Sequence, residues 1–263
     1  MRPDVLIRTL TDDRRVLAGW AIGATLAGCM YAAFYPQLAG GQMAEAVAAY
    51  PQAMRQALRL DDLSSPAGYL GSSVFGLILP LIAMFYGAAT GARTLAGDEE
   101  AGRLDLVLAH PVSRTGLVVQ RFAALTAGAV VIAVAVWAGM LTIRGAAQLR
   151  EISVGEFAAQ CATLALLATV FGAVAIGIGA ATGRRGLVFT VTAAVGILSY
   201  ALHAFAGQLG LDAGKYLSPF YYYIGAEPLR HGMPWGHAAV LAVAALLLTA
   251  AGTVVFNRRD LNT

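Results

Sequence analysis

Residues 158–181 read AAQCATLALLATVFGAVAIGIGAA, a run without a single Asp, Glu, Lys or Arg. An α-helix rises about 1.5 Å per residue, so roughly 20 apolar residues match the ~30 Å hydrocarbon core of a bilayer. In hydrocarbon only a helix or a closed barrel satisfies its own backbone. Barrel strands alternate apolar and polar positions over about ten residues, and this run does not alternate. The stretch therefore predicts a membrane-spanning helix.

The same test, carried outward, selects five more stretches: 16–35, 72–91, 122–143, 187–205 and 238–256, all equally free of charge. Hydrophobic residues make up 58% of the 263 positions and charged residues 13%, where a soluble domain carries about 25% charged residues. So few charges cannot cover a soluble fold of this size. The expected architecture is all-α, a single membrane domain over 1–263 with six spans. The net charge of +3, with no basic stripe apart from the loops, speaks against nucleic acid as a partner. Cys29 and Cys161 both lie inside apolar runs and read as small buried hydrophobes, with no metal site in view.

Orientation follows from the basic residues between spans. With the N-terminus inside, the inner segments hold Arg2, Arg8, Arg14, Arg15, Arg93, Arg103, Arg114, Arg121, Arg184, Arg185, Arg258 and Arg259. The outer segments, longer in total, hold only Arg55, Arg59, Arg144, Arg150, Lys215 and Arg230. Both termini are therefore expected in the cytoplasm, with the chain in the inner (plasma) membrane. Leu26-Ala27-Gly28-Cys29 matches a lipoprotein cleavage box behind Arg14-Arg15. The apolar run continues through MYAAFY and five spans follow, so an uncleaved first span is expected.

Residues 1–15 place Leu6 and Leu10 four apart, which predicts a short amphipathic helix on the inner interface. In the outer segment 36–70, Met43, Val47, Met54 and Leu58 recur at helical spacing, with Pro51 suited to a helix start. The outer segment 206–237 carries Tyr216, Phe220, Tyr221, Tyr222, Tyr223 and Trp235. These fit either an interfacial aromatic belt or an outer gate over a substrate path.

The most informative loop is ARTLAGDEEAGRLDLVLAHPVSRTGLVVQR, residues 92–121. Its composition predicts a short helix over about 98–109. Asp98 suits the N-cap, Glu99 and Glu100 the first turn, and Pro111 a stop. Leu104, Val107 and Leu108 share one face. Ser113 then caps the helix that runs into the third span. A short helix with an apolar ridge and an acidic tip suits docking into a groove of a soluble partner; the alternative is a plain loop helix at the headgroups.

This loop resembles the signature region of ABC transporter permeases of the export class, the type-two permease family that includes drug and antibiotic exporters. The matching residues are Glu99, Glu100, Gly102, Leu104, Asp105, Leu108, Pro111, Val112, Ser113 and Arg114. Arg103 replaces the family's usual Thr, and Asp105 its usual Glu. The tail FNRRDL, Phe256 to Leu261, resembles the family's C-terminus. The resemblance implies that this coupling helix docks a separate ABC ATPase subunit through Asp98, Glu99, Glu100, Gly102, Arg103, Leu104, Asp105, Leu108, Pro111 and Arg114. It implies pairing with a second permease, a copy or a different chain, and outward movement of an apolar or amphipathic compound. The chain contains no G-x-x-x-x-G-K-[ST] phosphate loop, so ATP and Mg belong to the partner and no enzyme activity or cofactor is expected here. The competing function is a transport-inactive membrane scaffold that recruits an ATPase for regulation or envelope-enzyme maturation.

In exporters similar to this one the second and fifth spans face the partner permease across the cavity. Phe75, Met84, Tyr86, Phe189, Leu198 and Tyr200 are thus candidate substrate-path residues, the competing assignment being helix–helix core. Pro80 should kink the second span. Gly87-Ala-Ala-Thr-Gly91 and Gly179-Ala-Ala-Thr-Gly183 repeat five residues, and the G-x-x-x-G spacing predicts close helix packing. His203 is read as interfacial, since a proton relay would want several intramembrane carboxylates or histidines. Glu99-Glu100 faintly resemble the paired glutamates of intramembrane proteases, but no span supplies the histidines of such a metal site.

Overall fold

A computed structural model describes residues 4–38, 50–52, 54, 65–102, 113–207, 210 and 212–259. Among these residues there is no strand. Among the described residues six helices are long and apolar enough to cross a membrane: Arg14–Gln37, Pro66–Glu100, Arg114–Ile143, Val154–Thr182, Arg185–Phe205 and Trp235–Arg258, spans 1 to 6 below. Each contains one of the six apolar runs. Met43, Val47 and Leu58 of the first outer segment lie outside the described residues.

Span 4 is the centre. In its most apolar stretch 72% of residues are buried, against 22% in span 1 and 17% in span 5. It packs on spans 2, 3, 5 and 6, and their low burial sets spans 1 and 5 toward the periphery. Small residues permit this. A Cβ on Gly87 would fall 2.5 Å from the Ala168 carbonyl oxygen, and one on Gly91 would fall 2.5 Å from the Ala175 Cβ. On span 6, a Cβ on Gly252 would stand 2.8 Å from the Gly177 Cα. Spans 2 and 6 therefore both approach span 4 backbone to backbone, the contact that small residues allow in a membrane.

The two copies of the repeated pentapeptide serve different ends. Gly87 and Gly91 make the close helix contact. Gly179 has only ordinary neighbours at 3.7 Å, and Gly183 ends span 4 in the left-handed region, φ +62°, its N–H donating to the Gly179 carbonyl at 2.9 Å. The other end of span 4 is closed by a capping box. Ser153 Oγ accepts from the Glu156 N–H at 3.1 Å, and Glu156 Oε2 accepts from the Ser153 N–H at 2.6 Å.

In span 2 the irregularity is a π-helical run, Leu70–Ile78, immediately ahead of the regular helix Leu79–Glu100 that holds Pro80 at its start. Proline has no N–H and its ring clashes within an i→i−4 ladder, so a wider turn just before it relieves that conflict. Ser72 and Ser73 hydroxyls donate to the Tyr69 carbonyl within the same stretch, at 3.1 and 2.6 Å.

The N-terminal helix, Asp4–Asp12, packs along span 3. Its first free donors find a distant acceptor, for Val5 and Leu6 N–H both donate to Gln120 Oε1, at 3.1 and 3.3 Å. At the opposite end of the bundle, the aromatic segment divides. Tyr216 and Trp235 are exposed, as a belt requires, whereas Phe220 and Tyr223 are buried in the bundle. Ser218 sets this up, its Oγ accepting from the Phe220 N–H and donating to the Ser199 carbonyl of span 5 at 2.7 Å. Burial pushes the Tyr223 phenol well above its ordinary pKa. His203 and His237 both stand against Tyr221, ring centroids 6.5 and 5.3 Å away.

Candidate functional site

Asp98, Glu99 and Glu100 form the last turn of span 2, whose helix runs unbroken to Glu100. This corrects the expected N-cap at Asp98 and the expected helix start there. Ala101 leaves the helix, and Gly102, at φ +63°, turns the chain away. Three acids at a helix C-terminus oppose the helix dipole, so local physics alone favours the start of a new helix. Tertiary partners reverse the balance.

Each acid holds a different element. Asp98 Oδ2 is 2.5 Å from Arg121 Nη2 of span 3. Arg121 also donates through Nη1 to Thr9 Oγ1 of the N-terminal helix at 3.1 Å. Glu99 takes Arg259 in a two-point pair, 2.5 Å at Oε1 and 3.0 Å at Oε2. Glu100 Oε1 accepts the backbone N–H of Arg185, at 2.8 Å. That N–H opens span 5, where the helix dipole welcomes an anion. Successive helical residues point about 100° apart, which is how one turn reaches spans 3, 5 and 6 at once. Span 1 joins through Asp13, 3.0 Å from Arg93 of span 2.

The Asp98–Arg121 and Glu99–Arg259 side chains are only 12–17% and 24–25% exposed. Such pairs are partly desolvated, so losing one partner costs more than at a fully wet surface.

The far side of the loop returns to the same place. Ser113 caps span 3, its Oγ accepting from the Gly116 N–H at 3.1 Å. Arg114, the next residue, donates through Nη1 to the carbonyls of Arg259 and Phe256, at 2.8 and 3.3 Å, with its guanidinium 5.7 Å from the Phe256 ring centroid. The loop's two stems thus meet at Arg259, whose guanidinium takes Glu99 and whose carbonyl takes Arg114. Arg259 Nη1 also donates to the Ala180 carbonyl of span 4, at 3.4 Å. Of the other residues expected to dock a partner, Arg103, Leu104, Asp105, Leu108 and Pro111 lie outside the described residues.

The six candidate path residues are not brought together. Phe75, Met84 and Tyr86 are buried within the bundle. Met84 lies against Gly196 of span 5, and the Tyr86 hydroxyl donates to the Leu125 carbonyl of span 3 at 2.9 Å. On span 5, Leu198 is 69% exposed and Phe189 faces outward while stacking on Phe85 at 6.2 Å. Tyr200 packs edge-on against Phe220 at 5.3 Å. Tyr86 lines a narrow apolar void of about 10 Å³ with Ala24, Leu79, Ile82, Ile132 and Leu164. A wider open groove of about 450 Å³ runs between spans 1 and 2, lined by Val16, Gly19, Trp20, Gly23, Ala24 and Ile82.

Arg121, Arg185 and Arg259 are the residues that sequence reasoning missed. They entered it only as topology charges, apart from the place of Arg259 in the FNRRDL tail. No local pattern links them to Asp98, Glu99 or Glu100, since their partners lie 23, 85 and 160 positions away. Among the described residues no group of three or more His, Cys, Asp and Glu is arranged to hold a metal.

A family model described as "Multidrug efflux system permease Rv1217c, C-terminal domain" matches residues 9–257. No curated protein matches the chain. The chain belongs to that family, a family of multidrug efflux permeases.

Proposed function

We propose that this permease is the membrane subunit of an ATP-driven ABC exporter that moves apolar or amphipathic compounds out of the cell. The observation that carries this reading is the convergence at the loop between spans 2 and 3. The loop resembles the coupling segment of type-two ABC permeases, and its stems are fastened to spans 3, 5 and 6. A force applied there reaches most of the bundle.

In this reading the charged end faces the cytoplasm of an inner-membrane protein. Residues 102–112 meet a separate ATPase subunit, through Gly102, Arg103, Leu104, Asp105, Leu108 and Pro111. Asp98, Glu99, Glu100 and Arg114 form the base that joins this element to the bundle. Nucleotide binding and hydrolysis, with Mg, belong to the ATPase. Closure of the ATPase pair presses the loop, and the spans shift against those of a second permease. Exposed apolar positions along the peripheral spans 1 and 5, such as Ile22, Leu26, Ile197 and Leu198, suit lipid and a neighbouring permease. An apolar cargo fits spans that carry no charge within their apolar stretches.

The test is purification from native membranes in mild detergent, followed by transport of a lipophilic dye into inverted vesicles. The expected result is co-purification of a phosphate-loop ATPase in stoichiometric amount, with dye uptake that requires hydrolysable ATP. Uptake driven by a proton gradient without ATP, or a chain purified free of any ATPase yet active, overturns the reading.

A further inference from the structure

We infer that Arg259 is the keystone of a charge clasp that carries movement of the loop between spans 2 and 3 into span 6, so that loop and span 6 shift as one unit. The inference rests on the exporter reading above and adds a route that the loop sequence does not contain. By sequence, a pressed loop moves the two spans it connects. By structure, its stems are also tied to each other through one residue at the end of span 6. Glu99 binds the Arg259 guanidinium at 2.5 and 3.0 Å, and Arg114 binds the Arg259 carbonyl at 2.8 Å.

Span 6 packs along span 4 through Leu241 and Ala245, which cluster with Val170 and Ala173, and through the close approach of Gly252 to Gly177, and Phe256 near its end is fully buried. Apolar packing of this kind holds the helices at a fixed distance. The clasp supplies the directional attachment at the end of span 6. Its side chains are about one-quarter exposed, dry enough to favour pairing and near enough to water for the ions to separate and re-form. Asp98–Arg121 and Glu100 with the Arg185 N–H fasten the same turn to spans 3 and 5. An axial shift or rotation of that turn must change all three attachments together. Such linked contacts favour two discrete arrangements over gradual bending.

The test uses the full chain in its native membrane with its co-purifying ATPase. Glu99→Gln and Arg259→Gln remove the charge with little change of shape, and Glu99→Arg with Arg259→Glu exchanges it. Arg258→Gln, at the exposed neighbouring position, is the control. Each single change should lower ATP-dependent dye uptake about tenfold, within the range of coupling between linked sites, while the ATPase still co-purifies. The charge exchange should recover most of the uptake, and Arg258→Gln should match the parent. Parental uptake in both single variants overturns the inference. So does loss of the ATPase from Glu99→Gln that the exchange fails to restore, because Glu99 would then be a partner contact. If the parent chain retains no ATPase, the exporter reading itself fails. The clasp is then judged on the thermal midpoint of the purified chain, lowered in each single variant and recovered in the exchange.

Discussion

Gly87 of span 2 lies so close to Gly172 of span 4 that a Cβ at Gly87 would stand 2.8 Å from the Gly172 backbone nitrogen. The nearest obstacles are main-chain atoms, which cannot rotate away as a flexible side chain can. Gly87→Leu should therefore push spans 2 and 4 apart and destabilise the bundle by about 3 kcal/mol, the upper range of overpacking. The check is the denaturation midpoint of the purified chain. Gly19→Ala, where a Cβ meets nothing within 4 Å, should leave that midpoint unchanged.

Asp98→Asn should leave Arg121 charged and largely enclosed, with Thr9 as a remaining partner. A loss of roughly 2–4 kcal/mol is expected, near the cost of stranding one half of a buried pair. Adding Arg121→Gln should return part of it. A double variant whose loss is the sum of the losses from Asp98→Asn and Arg121→Gln alone would show that the pair contributes nothing specific.

Ser153→Ala removes one arm of the capping box at the start of span 4, since Ser153 Oγ accepts from the Glu156 N–H. The expected cost is about 1 kcal/mol. Ser153→Asp keeps an acceptor at the same place and should retain most of the stability. The pair of variants, compared by the same denaturation curve, isolates the cap from simple loss of a surface hydroxyl.

The excess of arginine at the charged end predicts that this end is cytoplasmic. Cysteines introduced at exposed Ala101 and exposed Glu151, with Cys29 and Cys161 replaced, report the two sides. A membrane-impermeant maleimide should label position 151 in intact cells and position 101 only after permeabilisation. The reverse pattern inverts the topology.

The number and placement of the spans were legible in one dimension, because a bilayer of fixed thickness selects an apolar run by length alone. The cap at Ser113 and the close packing of Gly87-x-x-x-Gly91 were equally local signals. Rotation of each helix about its axis was not legible. Spans that are apolar all round carry no stripe to say which side turns inward. So Phe75, Met84 and Tyr86 were grouped with Phe189 and Leu198, and the structure separates them into core and periphery. The charged end shows the same limit in another form. The sequence by itself determined six apolar helices and an acidic, arginine-flanked loop after the second. Only the tertiary structure decided that Asp98, Glu99 and Glu100 close one helix instead of opening the next. The reason is that their partners, Arg121, the Arg185 N–H and Arg259, are distant in the chain, and only folding brings those positive groups to the helix end that otherwise repels the acids.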